Sequence, residues 1–294
     1  MLHAEEDADT LIAKTAIEYA KTQNVTLMSD DTDILCLLIH HFQRDNPFKL
    51  ILKNNSKSNK PSKAFDINQL AHTIPNAVKE NILFCHAMTG CDTTSRVHGV
   101  GKYTALRTLQ ENSEFRMNAS VFLGPPEKKA DIARAGESAM QILYGATKSG
   151  SIDELRYIKF KTKAATRVTH VEPASLPPTK AACYQHSMRV YYQVQSWKHF
   201  DSQLDPTKWG WKLNDKGMLW PVYTDKPIAP ASLLKIIRCG CKGDCSSRVC
   251  SCKKNGLRCS DVCRECRGLT CLNASIIEED ENENQYENDE IIDF

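Results

Sequence analysis

The sequence is short of several things. It has no long hydrophobic run: the longest, residues 34–39 (Ile-Leu-Cys-Leu-Leu-Ile), is far below the ~20 residues a membrane helix needs. It has no secretory pattern at its start, where Met1-Leu-His-Ala-Glu-Glu-Asp7 is acidic instead of basic and then apolar. These two absences argue against a membrane protein and against a conventionally secreted one. The last 17 residues, 278–294, contain no base at all and hold nine acids. Cysteine is scarce over most of the chain, with only Cys36, Cys85, Cys91 and Cys183 outside one block. No internal repeat is evident.

What is there is unevenly spread. The 294 residues suffice for roughly two domains of ~150 residues, a size that folds without disulfide staples. The formal net charge is +2, but the acidic end hides a basic body. Residues 1–277 carry all 38 bases against 27 acids, the total of 36 less the nine of the tail, or +11. Nine of the 13 cysteines lie between Cys239 and Cys271, and an odd total so packed reads as metal ligation.

Five segments follow from pattern and composition. Residues 1–110 read as α/β. Leu11, Ile12, Ala16, Tyr19 and Ala20 fall at helical spacing behind an Asp9 cap, and residues 25–28 read as a buried strand ending in Ser29-Asp-Asp-Thr-Asp33. Residues 48–53 form a second strand, residues 54–62 a polar loop, and residues 75–88 a helix. In 111–178 the run 130–144 is helical and 168–178 is a linker. In 179–235, Thr179 caps a helix with Cys183, Val190, Val194 and Trp197 on one face, and residues 209–213 and 218–222 form a hairpin about Asn214-Asp-Lys-Gly217. The Trp and Tyr residues here read as core. Residues 236–275 are the cysteine module, and 276–294 is an acidic tail of disordered composition. His40, His41, His86 and His98 read as packed or solvated rings, not ligands.

The cysteines run Cys239-x-Cys241-x3-Cys245-x4-Cys250-x-Cys252-x6-Cys259-x3-Cys263-x2-Cys266-x4-Cys271. Thiolates so close in sequence suit tetrahedral zinc. Nine ligands do not divide by four, but three zincs need twelve bonds, and nine sulfurs supply them if three bridge. Three Zn²⁺ and nine thiolates sum to −3, while residues 235–267 carry nine bases and three acids, leaving a positive surface fit to meet phosphate. The block resembles the CXC module of tesmin/TSO1-like proteins in its two Cys-x-Cys pairs, in Lys253-Lys-Asn-Gly-Leu-Arg-Cys259 and in Cys271-x-Asn273. That resemblance implies a three-zinc cluster and DNA binding around Lys253, Lys254 and Arg258. Two departures bear on the DNA reading: Val249 stands where the family usually carries a Tyr that reaches the minor groove, and there is one module where two in tandem are common. The alternative reading is a zinc-stapled knob for protein interaction.

Three acidic groups punctuate the first segment, Glu5-Glu-Asp-Ala-Asp9, Asp30-Asp-Thr-Asp33 and Thr89-Gly-Cys-Asp92. Carboxylates at strand ends of an α/β sheet can converge on hard cations, and two such cations clamp the oxygens of a phosphodiester. In order and context the groups resemble the internal region of flap-endonuclease/XPG-type 5′ nucleases, a branch of the PIN-like fold. Asp7 and Asp9 match its Glu-Ala-Glu, Asp31 and Asp33 its strand-end pair, and Asp92 followed by Gly99-Val-Gly-Lys102 its Gly-x-Asp and Gly-Ile-Gly. The resemblance covers residues 3–110 and implies a partial PIN-like core. In it Asp7, Asp9, Asp31, Asp33 and Asp92 hold Mg²⁺ or Mn²⁺ for structure-specific endonuclease or exonuclease chemistry, and Gly99, Gly101 and Lys102 meet a DNA phosphate. That family's first strand and its further upstream ligands have no counterpart here, so the expectation is either a fragment of a longer chain or an incomplete cation site. Residues 176–274 as a run resemble transposon-derived proteins multiplied in animal genomes. Two readings stand: a nuclear DNA-associated protein, with DNA and chromatin proteins as partners, and a non-catalytic chromatin or protein-interaction adaptor.

Overall fold

The computed structural model describes residues 8–54, 63–125, 128–146, 150–166, 173–200, 204–224, 239–254, 257–259, 263–269 and 271–274. Helix α1 (Ala8–Ala20) buries Ala13, Ala16 and Ala20, while Ile12 and Tyr19 of the expected apolar face look outward. Alanines on the inner face let the helix approach its neighbour closely. Asp9, expected as the cap, lies inside the first turn, where a carboxylate also complements the helix dipole.

Strand β1 (Val25–Met28) occupies the residues the pattern marks, but as a half-buried edge strand. Asp31 ends the turn after it. Its carboxylate accepts the Asp33 N–H at 2.8 Å and so caps helix α2 (Thr32–His41). The apolar run 34–39 is the interior of this helix, and every residue from Asp33 to Ile39 is buried. An unbroken apolar run does not distinguish a buried helix from a buried strand, and the cap settles the matter. Strand β2 (Leu50–Lys53) lies between β1 and β3 (Ala64–Asp66). It is parallel to β1 with Val25 opposite Leu50, and antiparallel to β3 with Ile51 opposite Asp66. β1, α2 and β2 thus form a parallel crossover. Most of the expected 54–62 loop, residues 55–62, lies outside the described residues. Asp66 then caps α3 (Ile67–Thr73), and Pro75 precedes α4 (Asn76–Thr89), one residue from the expected bounds.

The remaining elements are mostly helical. They are α5 (Lys102–Glu111), α6 (Ser113–Leu123), α7 (Lys129–Leu143), α8 (Ile152–Thr166) and α9 (Lys180–His199), followed by a hairpin of β4 (Trp211–Leu213) and β5 (Leu219–Pro221). The chain is therefore mixed α/β, mostly helical, with small sheets. Helix α9 is capped by Thr179, whose hydroxyl accepts the Ala182 N–H, and Cys183, Val190, Val194 and Trp197 are buried as the spacing predicts. Several of its polar residues are buried too, and three of them meet a partner outside the helix. His186 Nε2 donates to the Met88 carbonyl at 3.0 Å, Gln195 Nε2 to the Phe122 carbonyl at 2.7 Å, and Thr93 donates to Gln193 Oε1 at 2.6 Å. Buried polar atoms satisfied in this way fix one arrangement of α9 against α4, α6 and α7.

Two compact units result. The first takes in the described residues up to Leu155 together with Pro177–Tyr223, and the second Arg156–Leu176 with the described residues from Thr224 on. Residue 110, the expected end of the first domain, falls inside α5, and one core runs from Ala13 to Trp209. No helix among the described residues is long and apolar enough to cross a membrane.

Burial holds His186 neutral, its pKa pushed down to about 4, with the Arg189 charge acting in the same direction. An exposed His in the unfolded chain binds its proton near pH 6.5, so the native form binds fewer protons between these values. The stability tied to this ring is therefore complete above about pH 6.5 and drains away as the pH falls toward 4, by roughly 2–3 kcal/mol at pH 4.5. Urea unfolding of His186→Gln, which keeps a donor for the Met88 carbonyl, should lose correspondingly less stability between pH 7 and 4.5 than the native chain; equal losses would clear His186.

Candidate metal centres

In the second unit the side chains that normally build a core are missing. Cys239, Cys245, Cys250, Cys252, Cys259, Cys263, Cys266 and Cys271 are its buried cluster, with Cys241 and Ala274 half-buried beside them. Four quartets of sulfurs lie within 4.8 Å of one another, and they overlap. Cys239 and Cys259 each belong to three of the four, and Cys245, Cys250 and Cys266 to two. The closest approaches are Cys239 to Cys245, Cys259 and Cys266 at 3.8 Å each, Cys250 to Cys259 at 3.7 Å, and Cys252 to Cys263 at 3.5 Å. All are far longer than a disulfide, so none of these pairs is bridged. A tetrahedron with Zn–S bonds of about 2.3 Å has edges of about 3.8 Å. Spacing, burial and donor type therefore fit a metal held by sulfur, and zinc in particular.

Secondary structure plays little part in placing these sulfurs. The one helix among the described residues here, α10 (Ser251–Lys254), is four residues long. Its Lys253 N–H points at Cys250 and draws that thiol down to about 6. Three cross-links lace the stretches together: Arg264 N–H to the Cys239 carbonyl at 3.1 Å, Leu272 N–H to the Asp244 carbonyl at 2.8 Å, and Cys259 N–H to the Asn273 carbonyl at 2.8 Å. Cys245 and Arg267 sit at positive φ, 55° and 47°, a conformation that costs a non-glycine residue of order 1–3 kcal/mol. The Asn273 side chain bridges two points, donating to the Leu257 carbonyl at 3.0 Å and to Cys259 Sγ at 3.4 Å. Around this core Lys242, Arg248, Lys253, Lys254, Arg258, Arg264 and Arg267 are all exposed. Lys253 and Arg258 also donate to the carbonyls of Ser246 and Ala274.

The first unit gathers carboxylates. Asp9 of α1, Asp31 before α2 and Asp33 in the first turn of α2 bring ligand oxygens within 4.8 Å of one another. Asp9 and Asp31 are half-buried and Asp33 is buried. Asp33 Oδ1 accepts a 2.6 Å hydrogen bond from His86 Nε2 on α4. Burial holds the His86 ring below its ordinary pKa, with the Asp33 bond acting the other way. The neutral ring leaves Nδ1 bare, buried and without a hydrogen-bond partner. His86 thus fixes one oxygen of Asp33, the member of the trio that is most buried. Sequence reasoning passed over this pairing, because the two residues are 53 positions apart and nothing local links them.

The other residues named from the sequence scatter. Asp7 lies outside the described residues, and Asp92 is exposed and not in the trio. Gly90, in the Gly-x-Asp motif, has φ +117°, and a Cβ there would stand 2.6 Å from the Arg96 Cα, so the backbone alone requires glycine. Gly99 takes φ +70° and Gly101 precedes α5. Lys102 Nζ donates inward to the Gly90 carbonyl at 2.9 Å.

Asn273→Ala should weaken zinc binding by the full-length chain about ten- to a hundredfold, since it removes an N–H···S bond and a cross-link behind the ligands. Chelator competition reads this directly, and an unchanged affinity would make Asn273 incidental.

No protein-family model matches the chain, and neither does any curated protein or solved structure.

Proposed function

We propose that this chain is a nuclear DNA-associated protein whose cysteine module is a three-zinc, nine-thiolate cluster that attaches it to DNA. The observation that carries the reading is the overlap of the four buried cysteine quartets, with Cys239 and Cys259 in three each. Two-metal schemes with unshared ligands leave one of nine sulfurs over, whereas three tetrahedral zincs use all nine with three bridges. Zinc supplies the bonds that fold the module. This chain's own residues do the rest: Asn273 and the Lys253 N–H orient sulfurs, and the exposed Lys253, Lys254 and Arg258 meet phosphates. Such contacts release counterions and carry no base information. Val249, an aliphatic residue at the groove-facing position of the CXC resemblance, adds no hydrogen bond to a base edge, so sequence preference is modest.

Metal analysis of the purified full-length chain should give three zincs. A stable content of one or none removes the cluster. Cys239→Ser should lose more zinc than Cys241→Ser, because Cys241 is half-buried and belongs to a single quartet. Affinity for a duplex should fall steeply with salt, and replacing Lys253, Lys254 and Arg258 by Ala should flatten the log–log salt slope by roughly 0.9 per lost phosphate contact. Tight binding of one sequence at high salt would overturn the electrostatic account.

The Asp9, Asp31 and Asp33 trio supports a divalent-cation site in a nuclease-derived, PIN-like core. The exposure of Asp92 outside that trio favours a second reading, a cation-holding scaffold that does no chemistry. Crowded carboxylates disfavour the compact state until a cation neutralises them. With the zinc module kept saturated, Mn²⁺ at a hundred times its Kd should add about 2.7 kcal/mol of stability, read as a rise in the melting midpoint. Asp31→Asn should abolish the shift, and flap and single-stranded DNA should remain uncut. Cleavage would restore the nuclease reading, and no shift in the native chain would retire the cation site.

A further inference from the structure

The exposed surface of the cysteine module carries more than a phosphate binder needs. Val249, Leu269 and Leu272 are 86%, 70% and 77% exposed, and Leu257 is exposed as well. Each of three lies beside an exposed base in the chain: Val249 follows Arg248, Leu257 precedes Arg258, and Leu269 stands two residues after Arg267. A DNA backbone has no use for leucine, whereas a peptide that mixes acids with large apolar residues uses both. Among the described residues the module carries seven bases against Asp244 and Glu265, or +5, and the −3 of a three-zinc, nine-thiolate cluster still leaves it positive at +2.

The chain supplies such a peptide itself. Residues 278–294 hold nine acids and no base, together with Tyr286, Ile291, Ile292 and Phe294. They begin four residues after Ala274, the last residue of the described module. Extended at 3.3–3.6 Å per residue, 17 residues reach about 56–61 Å. A module of this size has a radius of gyration of about 9 Å, so no face of it is out of reach. A tether this short gives an effective concentration on the order of millimolar, so even weak docking competes with an external ligand.

We infer that residues 278–294 dock on the basic and apolar face of the cysteine module and exclude nucleic acid from it. The effect on DNA rests on the DNA-binding reading above, while the docking does not. The acids take Lys253, Lys254 and Arg258, and the apolar residues cover Val249, Leu269 and Leu272. The tail is thereby a self-inhibitor, weakened by salt and by anything that draws the acids elsewhere.

Two measurements on zinc-loaded protein test this. In the first, a fluorescent peptide of residues 275–294 is titrated into a chain truncated after Ile277, without DNA. It should bind, and Lys253→Glu with Lys254→Glu, as well as 0.5 M salt, should release it. In the second, duplex affinity is compared among the full chain, the truncated chain, and a full chain with all nine tail acids replaced by their amides. Truncation and neutralisation should each raise affinity about tenfold at ~0.1 M salt, the factor for an effective concentration ten times the peptide's Kd. Ile291→Ser with Ile292→Ser and Phe294→Ser should give an intermediate gain. A peptide that does not bind overturns the docking, whatever the DNA result. Unchanged DNA affinity on truncation overturns the inhibition. A peptide that binds a chain with no affinity for DNA sustains the docking and removes the DNA reading instead.

Discussion

The bond between sulfur and metal is the interaction on which the second unit depends. In the first unit, Leu, Ile, Phe and Trp side chains fill a core from Ala13 to Trp209, so its stability is spread over many apolar contacts. In the second unit the buried cluster is cysteine, and among the described residues Ala274 is the one other apolar neighbour packed on it. Burying thiols contributes little, and two non-glycine residues are held at positive φ against their preference. Structural zinc contributes on the order of 10–16 kcal/mol of apparent binding free energy in small domains, which is large enough to offset both deficits. The exposed apolar residues follow from the same fact. With sulfur filling the interior, Val249, Leu269 and Leu272 have no core to enter and remain outside.

The parts legible in the sequence are those set by local chemistry. Cysteine spacing is one, because a ligand shell is assembled from neighbouring turns. Thr179 as a cap and the stripe of Cys183, Val190, Val194 and Trp197 are another, because capping and helical period act within a few residues. The hairpin about Asn214 belongs with them, its side chain accepting the N–H groups of Lys216 and Met218 at 3.0 and 2.9 Å. The convergence of Asp9, Asp31 and Asp33 was legible only from the order of acidic groups along the chain.

What escaped the sequence was set by tertiary contact. The face of α1 is chosen by how near its neighbour must come, so alanines displaced Ile12 and Tyr19 from the interior. Helix α2 has no polar face by which its period might be read. Helices α5, α6 and α8 have an apolar spacing broken by charged residues, which hides their period from the pattern. The pairing of His86 with Asp33 depends on α4 crossing α2, a fact with no trace in either segment alone.

The position of α9 has a consequence for how the chain is made. This helix is among the last elements of the first unit to leave the ribosome, yet its Val190, Val194 and Trp197 lie at the centre of that unit's core, against α4, α6 and α7. From Leu155 to His199 is about 44 residues, which synthesis at 5–20 residues per second takes roughly 2–9 s to cover. Until α9 emerges, the residues it covers and the Met88 and Phe122 carbonyls lack the partners that the finished fold gives them. Translation speed across this interval therefore sets how long those groups wait for their partners.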